Sequence, residues 1–239
     1  MPATLSRIAV VGLSVGAICL GLAYLLGGRD AIRGLHHGML ARSCGEATGS
    51  DERHLAWSGG DRIDIALPGN VHLRGGDGSE IVVRGAPDVI ARVELRGHRL
   101  VLGCGFGGAP AIDVTLPGKA FRRIDLAGSA RLDLEKVEQR ELALKISGSG
   151  SVRGQGSIDR LSLRISGSGD ARLADLSTRE LSLKISGSGS VEAAPKDEAD
   201  ISISGSGSVR LLTRPAQLRT HVSGSGRITQ VAEADPSRK

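Results

Sequence analysis

The chain has 239 residues, 40% of them hydrophobic, and a formal net charge of +5 at pH 7. That supports one core-bearing domain with appendages. Aromatic residues make up only 2%, namely Tyr24, Trp57, Phe106 and Phe121, which removes the stacking platforms that sugar-binding faces and single-stranded nucleic-acid grooves rely on.

Residues 1–29 read as an N-terminal membrane anchor or signal segment. Ile8 to Leu26 is an uncharged run of 19 residues between Arg7 and Arg29, long enough to span a bilayer and longer than a usual signal-peptide core. No A-x-A-like cleavage site comes after it, and Cys19 lacks a lipoprotein-type context. A retained single-pass helix over 8–26 is expected, with a cleaved signal as the alternative and a buried core helix as the remaining reading. Arg29, Arg33 and Arg42 downstream, against the amino terminus and Arg7 upstream, slightly favour a cytoplasmic C-terminal part by the positive-inside count. The margin is one charge, and a basic leader before an N-terminal apolar segment ordinarily exports the chain beyond it, so export is the expectation.

Residues 30–56, rich in Gly, Arg, His and Ser, read as a linker with no strand pattern. His36 and His37 are adjacent and Cys44 lies seven residues on, which is no recognised zinc spacing. In an oxidising compartment Cys44 and Cys104 could form a disulfide. Read separately, one is a linker thiol and the other a thiol beside a Gly-rich turn.

From residue 57 onward alternation takes over. Ile63-Asp64-Ile65-Ala66-Leu67, Val71-His72-Leu73, Ile81-Val82-Val83, Ala91-Arg92-Val93-Glu94-Leu95, Leu100-Val101-Leu102 and Ile112-Asp113-Val114-Thr115-Leu116 are expected strands. Pro68-Gly69, Gly75-Gly76-Asp77-Gly78 and Pro117-Gly118 supply turn chemistry between them. No segment after residue 60 has helical periodicity, although Lys136–Leu144 is charged enough to tempt that reading.

Ser-Gly-Ser-Gly then starts at Ser147, Ser166, Ser186, Ser204 and Ser223, at steps of 19, 20, 18 and 19. A period near 20 denotes one supersecondary unit copied and stacked. Before each SGSG stands an alternating segment, such as Leu142-Ala143-Leu144-Lys145-Ile146. Beyond it the next apolar residue comes at a fixed offset of six: Ile146 to Val152, Ile165 to Ala171, Ile185 to Val191, Ile203 to Val209, Val222 to Ile228. Leu126 to Leu132 repeats the offset around Ala127-Gly128-Ser129-Ala130, a degenerate sixth coil. Coils of about 19 residues are too short for a β-α repeat and suit one turn of a β-helix with rungs about 4.8 Å apart. The domain is therefore expected over 57–232, with a polar tail at 233–239.

The order of an alternating strand pair, a GGDG-like turn, the segment IDVTLPG…RRIDLAGSA and serial LxIxGSGS(V/A) coils resembles the bacterial putative auto-transporter adhesin, head GIN domain family, over about residues 60–232. The resemblance implies a right-handed parallel β-helix in a bacterial cell-envelope setting, either inner-membrane anchored with a periplasmic domain or exported. It carries no catalytic residues. AGSA at 127–130 departs from the SGSG of a cleaner copy.

SGSG is read as a corner and not as a phosphate loop, because a strand comes after it each time rather than a helix. Gly75–Ile81 is one copy of a motif that would need several to bind calcium. The acids of the repeats do not fall in one column. Asp170, which replaces Ser151, Ser190 and Ser208, is the exception worth testing for glycan cleavage. No catalytic, cofactor or metal set is expected. What remains are cationic columns. Lys145, Arg164 and Lys184 share one outward place in successive coils, and Arg153, Arg172 and Arg210 share another, interrupted by Glu192. Stacked like charges repel unless something anionic meets them. The expected function is a non-catalytic binding or scaffolding module, with Lys145, Arg164 and Lys184 contacting an anionic envelope polymer, a lipid surface or another protein, and not nucleic acid. The alternative is a membrane-anchored structural or regulatory protein whose solenoid homo-oligomerises or senses.

Overall fold

Side chains that alternate apolar and polar put one face in the core and the other in water, and nearly all the alternating segments become strands. The protein was analysed as a computed structural model, which describes residues 51–231 except 59, 75–77, 104–111 and 119. The segment at 8–26, His36, His37, the Cys44–Cys104 pair and the tail at 233–239 lie outside the described residues. Among the described residues no helix is long and apolar enough to cross a membrane.

The strands are β1 (Glu52–Ala56), β2 (Arg62–Ala66), β3 (Asn70–Arg74), β4 (Glu80–Gly85), β5 (Val93–Arg96), β6 (Arg99–Leu102), β7 (Ile112–Leu116), β8 (Arg123–Gly128), β9 (Arg131–Gly148), β10 (Ser151–Gly167), β11 (Asp170–Gly187), β12 (Ser190–Gly205), β13 (Ser208–Leu211), β14 (Gln217–Gly224) and β15 (Arg227–Gln230). One short helix, α1 (Pro87–Ile90), sits between β4 and β5. All the strands belong to one hydrogen-bonded system, an all-β solenoid of about five turns.

The register confirms the offset-of-six alignment residue for residue. Leu126, Ile146, Ile165, Ile185, Ile203 and Val222 stack in one column of parallel pairs. Leu132, Val152, Ala171, Val191, Val209 and Ile228 stack in a second. All of these except Val222 and Ile228 are buried. Each buried Leu, Ile or Val contributes about 1.5–3 kcal/mol, and only neighbouring coils can cover it. Between the columns runs the SGSG corner, whose backbone bonds rung to rung: Ser149, Ser168, Ser188 and Ser206 amides donate to the carbonyls of Gly128, Gly148, Gly167 and Gly187 at 2.9–3.0 Å. Lys136–Leu144 lies inside β9 and is no helix. The chain bends there at Lys136, whose φ of 54° is the one positive value at a non-glycine among the described residues.

The N-terminal part departs from a simple serial stack. β2 pairs in parallel with β8 on one side and β6 on the other, and β3 does the same with β9 and β7. The coil made of β2 and β3 therefore lies between the coil of β8 and β9 and that of β6 and β7, which comes more than thirty residues later in the chain. Both core columns run on into it: Ile65 continues the first and Val71 the second, again six apart. Beyond β6 and β7 the pairing turns antiparallel, β5 on β6, β4 on β7 and β1 on β4, which corrects the expectation of parallel rungs throughout. β1 also corrects the linker boundary, since Glu52–Ala56 is strand. Its Glu-Arg-His-Leu-Ala offers only Leu55 to the core, so its pattern is too faint to read. α1 is four residues long, with Pro87 in its first turn, too short to show a period. Trp57 and Phe121, both buried, meet edge to face with ring centroids 5.6 Å apart in this region.

Candidate functional site

Lys145, Arg164 and Lys184 are consecutive partners in the parallel ladder of β9, β10 and β11. Each stands between two inward-pointing residues, Leu144 and Ile146 in the first case, so alternation turns it to solvent, and all three are exposed. None makes a side-chain hydrogen bond or an ion pair within the described residues. The columns beside them are small: Ala143, Ser162 and Ser182 on one side, Ser147, Ser166 and Ser186 on the other. Three cations thus rise from a flat bed of alanine and serine.

Acids continue the cationic column toward the N-terminal end, but they are engaged elsewhere. Asp125 is the ladder partner of Lys145, and Asp64 that of Asp125. Arg62 donates to Asp64 at 2.9 Å and to Asp125 at 3.1 Å, and Arg123 donates to Asp125 at 3.1 Å. Burial alone would push the Asp64 carboxyl up. The hydrogen bond and charge of Arg62, helped by His98 and Arg99, outweigh it and hold that carboxyl below the usual range. The Arg62 guanidinium is correspondingly held up, first by its hydrogen bond to Asp64. On the other side the column continues as Ser202 and His221.

The second cationic column also exists. Arg153, Arg172, Glu192 and Arg210 are successive ladder partners. Arg210 reaches Glu192 at 3.8 Å, whereas the Arg153 and Arg172 side chains have no partner among the described residues. Asp170 pairs in the ladder with Ser151 and Ser190 and accepts a hydrogen bond from the Ser190 hydroxyl. Its ladder neighbours are thus hydroxyls and not a second carboxylate. Sequence reasoning passed over Arg131, the ladder partner of Ser151. The signal was available, because Arg131 precedes Leu132 as Ser151 precedes Val152.

The fold has solved relatives. A putative adhesin from Bacteroides fragilis superposes with a TM-score of 0.60 at 15% identity, over 75% of this chain and 96% of that one. A putative lipid binding protein from Parabacteroides distasonis superposes with a TM-score of 0.51 at 18% identity, over 78% and 98%. At such identities the likeness shows the fold. No curated protein matches the chain. Residues 61–215 match the family described as putative auto-transporter adhesin, head GIN domain. That stretch holds the out-of-order coil, four of the five SGSG turns and both cationic columns, and by it the chain belongs to that family.

Proposed function

We propose that this protein is a non-catalytic binding module of the bacterial cell envelope, with right-handed coils, that lays the face bearing Lys145, Arg164 and Lys184 against an anionic surface. One observation carries the reading: three exposed cations without partners occupy adjacent rungs on a bed of small residues, where their mutual repulsion is relieved only by a negative partner. The descriptions of the structural neighbours, adhesin and lipid binding, support it. Near an anionic leaflet each such side chain is worth about 1 kcal/mol. Reversing all three charges (Lys145→Glu, Arg164→Glu, Lys184→Glu) should therefore weaken binding to phosphatidylserine vesicles by at least about 100-fold. Unchanged binding by a folded triple variant refutes this reading.

The segment at 8–26 would hold the module at the inner membrane with the solenoid in the periplasm, or direct its export. Alkaline phosphatase, active only after export, reports this when fused after Lys239. An active fusion is expected, and an expressed but inactive one places the solenoid in the cytoplasm and removes the envelope reading.

A second reading is self-association. Among the described residues β14 pairs only with β12 and β15 only with β13. Leu218 and Val222 are 41% and 42% exposed, although their equivalents in earlier coils are buried. A second copy docking on this open coil would cover them. Sedimentation of the full chain should then show concentration-dependent association that Leu218→Ser with Val222→Ser abolishes. A monomer at all concentrations rejects it.

A further inference from the structure

Around the corner from the Lys145 face, on the other side of SGSG, lies an open depression of about 380 Å³. Arg131, Arg153 and Arg172 line it together with Ser149, Ser151 and Asp170. The three guanidinium groups come from three successive turns. Arg153 and Arg172 are direct ladder partners, and Arg131 sits one rung back and two positions along from Arg153, a diagonal of about 7–8 Å that long side chains cover. None of the three makes a side-chain hydrogen bond or ion pair within the described residues. Asp170, the one acid in the lining, is bonded to Ser190 on the next rung.

The same sheet face supplies an internal comparison. Three rungs on, a depression of about 280 Å³ is lined by Ser190, Glu192, Ser208, Arg210 and Arg227 among others. There Arg210 is tied at 3.8 Å to Glu192, its partner on the rung before, whereas Asp133, which holds that place beside Arg153, lies 3.9 Å from His72 and makes no ion pair with Arg153. The second lining thus carries a formal charge of +1 and ties one of its two arginines to an acid, whereas the first sets three arginines against one aspartate.

We propose that Arg131, Arg153 and Arg172 form a discrete site for a tetrahedral oxyanion of charge near −2, a phosphate monoester. The lining carries a formal charge of +2, which matches such a dianion better than a single carboxylate. Guanidinium forks bind phosphate oxygens in pairs, and the hydroxyls of Ser149 and Ser151 supply further donors. The site goes beyond the flat Lys145 face: it lies on another sheet face, takes one anion, and is independent of that reading.

The test is isothermal titration of the full-length chain, in a non-ionic detergent, with inorganic phosphate. Saturable binding at one site is expected. Arg153→Gln with Arg172→Gln should weaken it at least about tenfold. Asp170→Asn should tighten it, because the opposing charge goes while the bond to Ser190 stays, an effect no structural role would produce. Arg210→Gln removes the same charge from the second depression and should leave affinity unchanged. Absence of saturable binding, or equal losses in Arg210→Gln and Arg153→Gln, overturns the site. Vesicles of phosphatidylcholine with and without phosphatidic acid separate the sources. Binding that needs phosphatidic acid and is lost in Arg153→Gln with Arg172→Gln identifies a lipid headgroup, whereas phosphate binding without vesicle binding identifies a soluble or saccharide-borne ester.

Discussion

At the scale of a residue, the corner glycines separate two costs that are usually confounded. Gly187 has φ +126°, and a Cβ there would lie 2.4 Å from the carbonyl oxygen of Gly167 on the rung below. Gly128 has φ +86° with nothing within 4 Å of the same position, because the rung beneath it carries the Pro68-Gly69 turn in place of SGSG. Gly187→Ala therefore meets both an unfavourable backbone conformation and a clash, and should cost about 2–5 kcal/mol. Gly128→Ala meets the first alone and should cost about 1–2 kcal/mol. Denaturant titration of the two variants measures the difference, and equal losses would mean that the rungs can spread to admit a methyl group. The serines beside these glycines behave differently. Their hydroxyls face water, and it is their amides that tie coil to coil.

At the scale of an element, position in the stack decides what an identical apolar residue contributes. Leu181 is 2% exposed with coils on both sides, and its ladder column ends, one coil beyond Ala199, at Leu218, which is 41% exposed. Truncating Leu181 would leave a cavity, a loss of about 2–5 kcal/mol. The Leu218→Ser change used to test self-association should stay within about 0.5 kcal/mol of the parent, so a lost association would report the interface and not the fold. The same contrast marks what the sequence made legible. Strand alternation, the corner and the place of Lys145, Arg164 and Lys184 could be read directly, because each is repeated and each is local to one coil. The open end was fainter, since Leu218 and Val222 keep the places of Leu181 and Ile185, and only Thr220 in the place of Leu183 hints that no further coil covers them among the described residues. β1 escaped for a related reason: an edge strand with a single inward Leu55 hardly alternates.

At the scale of the whole described domain, the stack is close to one-dimensional, each turn touching only its neighbours. That property explains why the C-terminal order could be read from the repeats while the N-terminal order could not. In the repeats, chain order and stack order coincide. Between 62 and 135 they diverge, and no local pattern reveals that β6 and β7 stack beneath β2 and β3. A trace survives in the offset of six from Ile65 to Val71, shared with every SGSG coil, which assigns this pair to the same columns. The arginine cluster at Arg131, Arg153 and Arg172 escaped for a different reason, since Arg131 stands at a place that the later coils give to Ser151, Asp170 and Ser190. Its members come from three turns, and Arg131 belongs to the turn whose corner reads AGSA.

The coil of β2 and β3 also sets a timetable. It leaves the ribosome first among the parallel coils, yet both surfaces that cover it arrive later, β6 and β7 on one side and β8 with the start of β9 on the other. One side is covered once β7 ends at Leu116, and the other only at about residue 135. After that point each new turn finds a completed template and can settle as it emerges. A gene that gains or loses one 19- or 20-residue unit downstream would thus change the length of the stack by one rung, about 4.8 Å, and leave the out-of-order coils untouched.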